Sequence, residues 1–127
     1  MKAGTYLGAR ARSFVHAGAG IGAMFRTQPN ARIHAAVTVV IVSLGVGFDL
    51  TSGEWCWLVL SIFLVLAAEC FNTAFEALAD AAAPDPHPLV GRAKDAAAGA
   101  VLLSAIGAAV IGLLVLGPHA LESLRGM

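Results

Sequence analysis

The sequence predicts an all-α membrane protein: three transmembrane helices preceded by an amphipathic surface helix at the N-terminus. Three observations carry this reading. Apolar residues make up 58% of the chain and charged ones only 13%, whereas an average soluble domain is about one quarter charged. The runs "RIHAAVTVVIVSLGVGFDL" (32–50), "WCWLVLSIFLVLAAECFNTAFEALA" (55–79) and "AAAGAVLLSAIGAAVIGLLVLG" (96–117) have the length, about 20 mostly apolar residues, that crosses a hydrocarbon core about 30 Å thick. The segments between them are short and rich in turn-forming residues. With 127 residues, a single domain over 1–127 is expected, with spans at about 32–50, 55–80 and 96–117.

The N-terminal segment is read as a helix over about 5–26. Leu7, Phe14, Ile21 and Phe25 recur at near-heptad spacing, with Arg10, Arg12, His16 and Arg26 between them. That pattern suits a helix lying in the headgroup region. It lacks the central apolar run of a signal peptide. The first span opens after "TQPN" (27–30), with Asn30 as the expected N-cap. "TSGE" (51–54) has the form of a capping box ahead of the second span. The prolines of "APDPHP" (83–88) interrupt the chain before the third, and "GP" (117–118) is expected to end it. Cys56 and Cys70 lie in apolar surroundings without CxxC spacing and are read as buried free thiols.

Orientation follows from the basic residues. Lys2, Arg10, Arg12, Arg26 and Arg32 precede the first span, and Arg92 and Lys94 lie in the 80–95 connection, whereas 49–54 holds only Asp49 and Glu54. The positive-inside rule places the N-terminus and the 80–95 loop in the cytoplasm. Trp55 and Trp57 then sit at the outer interface. The eight basic residues balance the eight acidic ones, so no basic excess points to a nucleic-acid partner.

The second span carries the unusual chemistry. At 100° per residue, Glu69, Asn72, Thr73, Glu76 and Asp80 share one face, while Phe71, Phe75 and Leu78 occupy the other. Glu69 stands about four turns past Trp55, roughly 21 Å along the axis, within the cytoplasmic half of the bilayer. A charge at the bilayer centre costs about 2.5–3.5 kcal/mol on insertion scales, so carboxylates there mark ion paths, proton relays or catalysis. "GRAKD" (91–95) brings Lys94 in at the level of Glu76. Carboxylates to hold Mg²⁺, a lysine to neutralise phosphate oxygens and a further carboxylate to take a hydroxyl proton form a phosphoryl-transfer set. No GxxxxGK[ST] loop or HRD and DFG pattern occurs, so a nucleotide site here is of another kind.

The stretches "NARIH" (30–34), "ECFNTAFEALAD" (69–80) and "HPLVGRAKDAAAGAVLL" (87–103) resemble the small prokaryotic membrane kinases, diacylglycerol kinase and undecaprenol kinase. The resemblance covers about residues 5–118. It implies a homotrimeric lipid kinase of the bacterial cytoplasmic (inner) membrane that uses ATP and Mg²⁺ to phosphorylate a lipid alcohol, with sites between subunits. Matched by position, Glu69 is the implied catalytic base, Glu76 the metal-binding carboxylate and Asn72 a polar residue beside it. Lys94 is the implied phosphate-contacting lysine. Asp80 and Asp95 shape the nucleotide end, Gly91 and Arg92 belong to the loop near it, and Arg32 matches an arginine of the first-span motif.

One departure is Gln28, which stands where family members often carry a second metal-binding Glu; its neutral amide is a weaker metal ligand. "SFVHAG" (13–18) and "RIH" look more like the undecaprenol branch. Two other readings are a non-catalytic relative, favoured by Gln28, and an ion- or proton-conducting subunit, which would need neither Lys94 nor the "GRAKD" segment.

Overall fold

A computed structural model describes residues 3–126, which form four helices: α1 (Ala3–Thr27), α2 (Pro29–Gly47), α3 (Ser52–Ala82) and α4 (Pro88–Arg125). There is no strand among the described residues. α2, α3 and α4 are long and apolar enough to cross a membrane. The protein is an all-α membrane protein with three spans and an N-terminal helix. At about 1.5 Å per residue, the 31 residues of α3 and the 38 of α4 exceed what a 30 Å core requires, so their ends extend past it.

α3 is the hub. It packs most extensively against α4 and also touches α1 and α2. Its start is fixed by the expected capping box: Thr51 accepts from the Glu54 backbone N–H, and Glu54 accepts in return from the Thr51 N–H at 2.8 Å. A small apolar core gathers at this end, with Leu50, Leu58 and Leu116 buried and Ile41, Phe48, Trp55, Ile111 and Val115 packed around them. Trp55 lies so close to Gly45 that a Cβ there would meet its ring at 2.7 Å; this is a contact only glycine permits. Between α2 and α3, Asp49 takes φ of 54°, a left-handed conformation that aspartate tolerates better than most residues.

Four local expectations need correction. The N-cap of α2 is Gln28, not Asn30, which lies inside the helix. Pro29 takes the first helical position, where its missing N–H costs nothing, and it holds Gln28 extended at φ −104° and ψ 111°. The "GRAKD" segment is not a loop: α4 begins at Pro88, with His87 as its cap accepting from the Leu89 N–H at 3.3 Å. The break between α3 and α4 is thus confined to 83–87, and Gly91, Arg92, Lys94 and Asp95 lie on the first two turns of α4.

Nor does "GP" end the third span, since α4 runs through Pro118 to Arg125. Part of the steric conflict of a helical proline is with the Cβ of the preceding residue, and Gly117 has none. The turn beyond is also tied down, because His119 pairs with Glu54 at 2.7 Å and stacks on Phe48. Finally, both cysteines are free, but Cys56 is exposed and Cys70 only half-buried. Helical periodicity turns Cys56 outward while its neighbours Trp55 and Leu58 turn in.

Candidate functional site

The polar face of α3 shows a gradient of burial. Glu69 is 1% exposed and Asn72 6%, Thr73 and Glu76 are half-buried, and Asp80 is exposed. The opposite face points away from the chain, with Phe71 78% and Leu78 67% exposed. The periodicity that separated these faces in the sequence is the one that sorts them in space.

Three helices close over the carboxylates. At the joint between α1 and α2, Gln28 donates from Nε2 to Glu76 Oε2 at 2.6 Å. Asn72, one turn before Glu76 on α3, donates from Nδ2 to its other oxygen at 3.3 Å. Both oxygens of Glu76 therefore face amide donors. The α1 anchor for this joint is Met24, 1% exposed, whose sulfur lies 3.4 Å from Cys70 Sγ.

Glu69 is more isolated. Its ion-pair-range neighbour among the described residues is His34 on α2, with Nε2 3.4 Å from Oε1. That is close enough for charge pairing but not aligned as a hydrogen bond, and Oε1 has no hydrogen-bond partner among the described residues. Asn72 Oδ1 is in the same condition. Buried polar atoms are nearly always satisfied in folded proteins, so these two atoms set this face apart among the described residues. Thr73 uses its hydroxyl locally, donating to the Glu69 carbonyl at 2.8 Å.

Lys94 lies at the same end of the bundle, but its partner is Asp80, at 2.8 Å, and not Glu76. Arg32, Gly91, Arg92 and Asp95 are all exposed and make no polar contact with Glu69 or Glu76 among the described residues. The structure thus gathers Gln28, Asn72 and Glu76 into one cluster, and Asp80 with Lys94 into another. It adds His34, whose proximity to Glu69 no spacing rule reveals, since the two residues sit on different helices. "RIH" belongs to a recognisable motif, but only the packing of α2 on α3 gives its histidine a partner.

The site is thus a buried carboxylate face on α3 with the Asp80–Lys94 pair at the same end of the bundle, carried on helices long and apolar enough to cross a membrane. Residues 15–116 match the family described as prokaryotic diacylglycerol kinase, and the chain belongs to that family. It is 41% identical to undecaprenol kinase of Bacillus subtilis over 84% of this chain and 87% of the relative. It is 39% identical to diacylglycerol kinase of Synechocystis over 87% of this chain and 63% of the relative. To diacylglycerol kinase of Escherichia coli it is 29% identical over 79% of this chain and 82% of the relative. The protein is accordingly an ATP-dependent lipid kinase, a phosphotransferase with a lipid alcohol as acceptor.

Proposed function

We propose that the protein transfers the γ-phosphoryl group of ATP to the hydroxyl of undecaprenol, with Glu69 as the general base. The observation that carries the site assignment is the near-complete burial of Glu69 on a face it shares with Asn72 and Glu76. An ionised group so placed is costly, and within membranes such cost accompanies function. The acceptor assignment is supported by "SFVHAG" and "RIH" and by the similarity to the Bacillus undecaprenol kinase. Diacylglycerol is the second reading, favoured by the similarity to the Synechocystis enzyme.

In this mechanism the lipid hydroxyl approaches Glu69, which accepts its proton as the oxygen attacks the γ-phosphorus and the bond to ADP breaks. A base must lie within hydrogen-bond reach of the proton it takes, and the orphaned Oε1 has that capacity to spare. Lys94 contacts phosphate oxygens once it exchanges its exposed Asp80 partner for them. Gly91, Arg92 and Asp95 border the nucleotide on the same turns of α4. Most of the rate enhancement then comes from positioning and charge neutralisation.

The donors beside Glu69 fit Mg²⁺, which takes hard oxygen ligands and retains water. Glu76 supplies a carboxylate, Asn72 an unpartnered Oδ1, and Gln28 a carbonyl oxygen if its amide turns over. Bound there with ATP, the ion would neutralise the phosphate oxygens.

The protein is proposed to sit in a bacterial cytoplasmic membrane with its N-terminus and the Lys94 end facing the cytoplasm, where ATP is found. α1 lies in the headgroup layer with Leu7, Phe14 and Ile21 exposed toward lipid. The subunits form a homotrimer with sites at their contacts. The broad apolar surface left by one chain, including Phe71, Leu102 and Leu103, and the small residues Gly99 and Gly107 on α4 support close helix association.

The test is ATP- and Mg²⁺-dependent phosphorylation by the purified protein in mixed micelles, with undecaprenol and diacylglycerol assayed side by side. Preference for undecaprenol in kcat/KM is expected. Preference for diacylglycerol would assign the second reading, and turnover of neither would sink both.

A further inference from the structure

A carboxylate that acts as a base must be held in one orientation, and few groups hold Glu69. Its side chain is 2% exposed, and Oε1 has no hydrogen-bond partner among the described residues. Its immediate amide neighbours do not help, because Gln28 and Asn72 direct their donors at Glu76. Among the described residues His34 pairs with it, reached from a different helix at 3.4 Å.

His34 also has an outlet that Glu69 lacks. Its side chain is 23% exposed, and it lines a groove of about 510 Å³ between α2, α3 and α4. Val37, Thr38, Ser61 and Val65 are among the other walls, so the groove is apolar with two hydroxyls. The imidazole thus stands between the buried base and the accessible side of the bundle. Its backbone is firmly held, since the His34 carbonyl accepts from Thr38 Oγ1 at 2.8 Å.

We infer that His34 is a positioning residue for phosphoryl transfer, its imidazole holding the Glu69 side chain in the orientation that accepts the hydroxyl proton. This rests on the reading of Glu69 as the base. The contact is offset in the resting enzyme and tightens when substrates bind, as catalytic hydrogen bonds commonly do. In this role His34 acts through Glu69, and no hydrogen bond joins its ring to Gln28, Asn72 or Glu76 among the described residues. Its loss therefore lowers turnover without weakening substrate binding.

The experiment uses the full-length protein in lipid–detergent micelles with ATP, Mg²⁺ and whichever lipid alcohol the wild type phosphorylates. His34→Ala is expected to lower kcat by about tenfold to a hundredfold, the usual cost of removing an orienting partner, with KM for ATP and lipid little changed. His34→Gln, which keeps a donor of similar reach, should recover much of the loss, and added imidazole should raise the rate of His34→Ala. His34→Leu, which fills the space without a donor, should stay slow and gain nothing from imidazole. In a Glu69→Gln background His34→Ala should cost little more, since the two act as a unit.

If Glu69→Gln is inactive while His34→Ala keeps the wild-type kcat, the inference fails and Glu69 stands. If Glu69→Gln is itself fully active, the underlying reading fails first. Full activity in His34→Leu, or a loss confined to KM, would likewise overturn the role given to His34.

Discussion

The two ends of the helical bundle solve the problem of polar groups among apolar helices in opposite ways. Where α2 meets α3, every conspicuous polar group is occupied. Glu54 caps α3 through Thr51 and holds His119 at 2.7 Å, and Leu50, Leu58, Trp55 and Leu116 pack beside them. At the other end Glu69 and Asn72 are as buried as that core, yet each keeps an oxygen without a hydrogen bond among the described residues. The comparison teaches where to look for chemistry. Satisfied polar groups hold helices together, whereas the two unsatisfied buried atoms belong to the face proposed above to meet substrate and ion.

Substitutions should divide along the same line. The largest effect belongs to the open end. Glu76→Gln removes the only carboxylate of the proposed metal set, and a loss of about a hundredfold or more in kcat/KM is expected, a range typical of lost electrostatic stabilisation. The check is ATP turnover titrated with Mg²⁺, with thermal stability little altered.

Gln28→Glu sharpens the comparison in the other direction. It replaces a donor 2.6 Å from Glu76 with a second carboxylate, so the two charges repel until a cation joins them. Thermal unfolding in chelator should move to lower temperature and recover with Mg²⁺. The Mg²⁺ concentration for half-maximal activity should fall by roughly tenfold, since added ligand charge raises affinity for hard cations. Unchanged Mg²⁺ dependence would remove Gln28 from the metal site.

At the closed end the effects should be on stability alone. Gly45→Ala drives a methyl into Trp55, and overpacking of this kind costs about 1–3 kcal/mol. Glu54→Ala removes both the α3 cap and the His119 partner. A cap alone is worth about 1 kcal/mol, so a loss of that order or somewhat more is expected in equilibrium unfolding. Neither residue is near the proposed chemistry, and kcat per folded enzyme should be retained by both variants. The smallest effect is at the turn: Asp49→Gly relieves a positive φ of 54° and should change stability by less than about 1 kcal/mol, measurable as a slight rise in unfolding temperature.

Much of the architecture was legible in the sequence because hydropathy and periodicity are local quantities. The three spans, the Thr51–Glu54 cap and the polar face of α3 follow from residues a few positions apart. The boundaries set by proline were harder. Pro29 and Pro88 open helices and Pro118 sits inside one, a difference decided by neighbours such as Gly117 and by the distant Glu54–His119 pair. The "GRAKD" residues were recognisable by type, but their place on helix rather than loop depended on how soon α4 could start after Pro86.

The site was half legible for the same reason. Glu69, Asn72 and Glu76 declared themselves by spacing and by their cost in a membrane. The Gln28–Glu76 contact could be anticipated only through the family motif, and the His34–Glu69 pair not even then. Lys94 was expected beside Glu76 and instead pairs with Asp80 about one turn further along α3. An exposed pair of that kind is weakly held, so the phosphate contact proposed for Lys94 would cost little to make.

The most direct test of the central claim is single-turnover phosphoryl transfer by Glu69→Gln with ATP, Mg²⁺ and a saturating lipid alcohol. Loss of a general base predicts a fall of about a hundredfold to ten-thousandfold in the chemical step, with ATP affinity and thermal stability retained. Transfer at the wild-type rate would contradict the account, because a buried acid that can be neutralised without consequence is not the base.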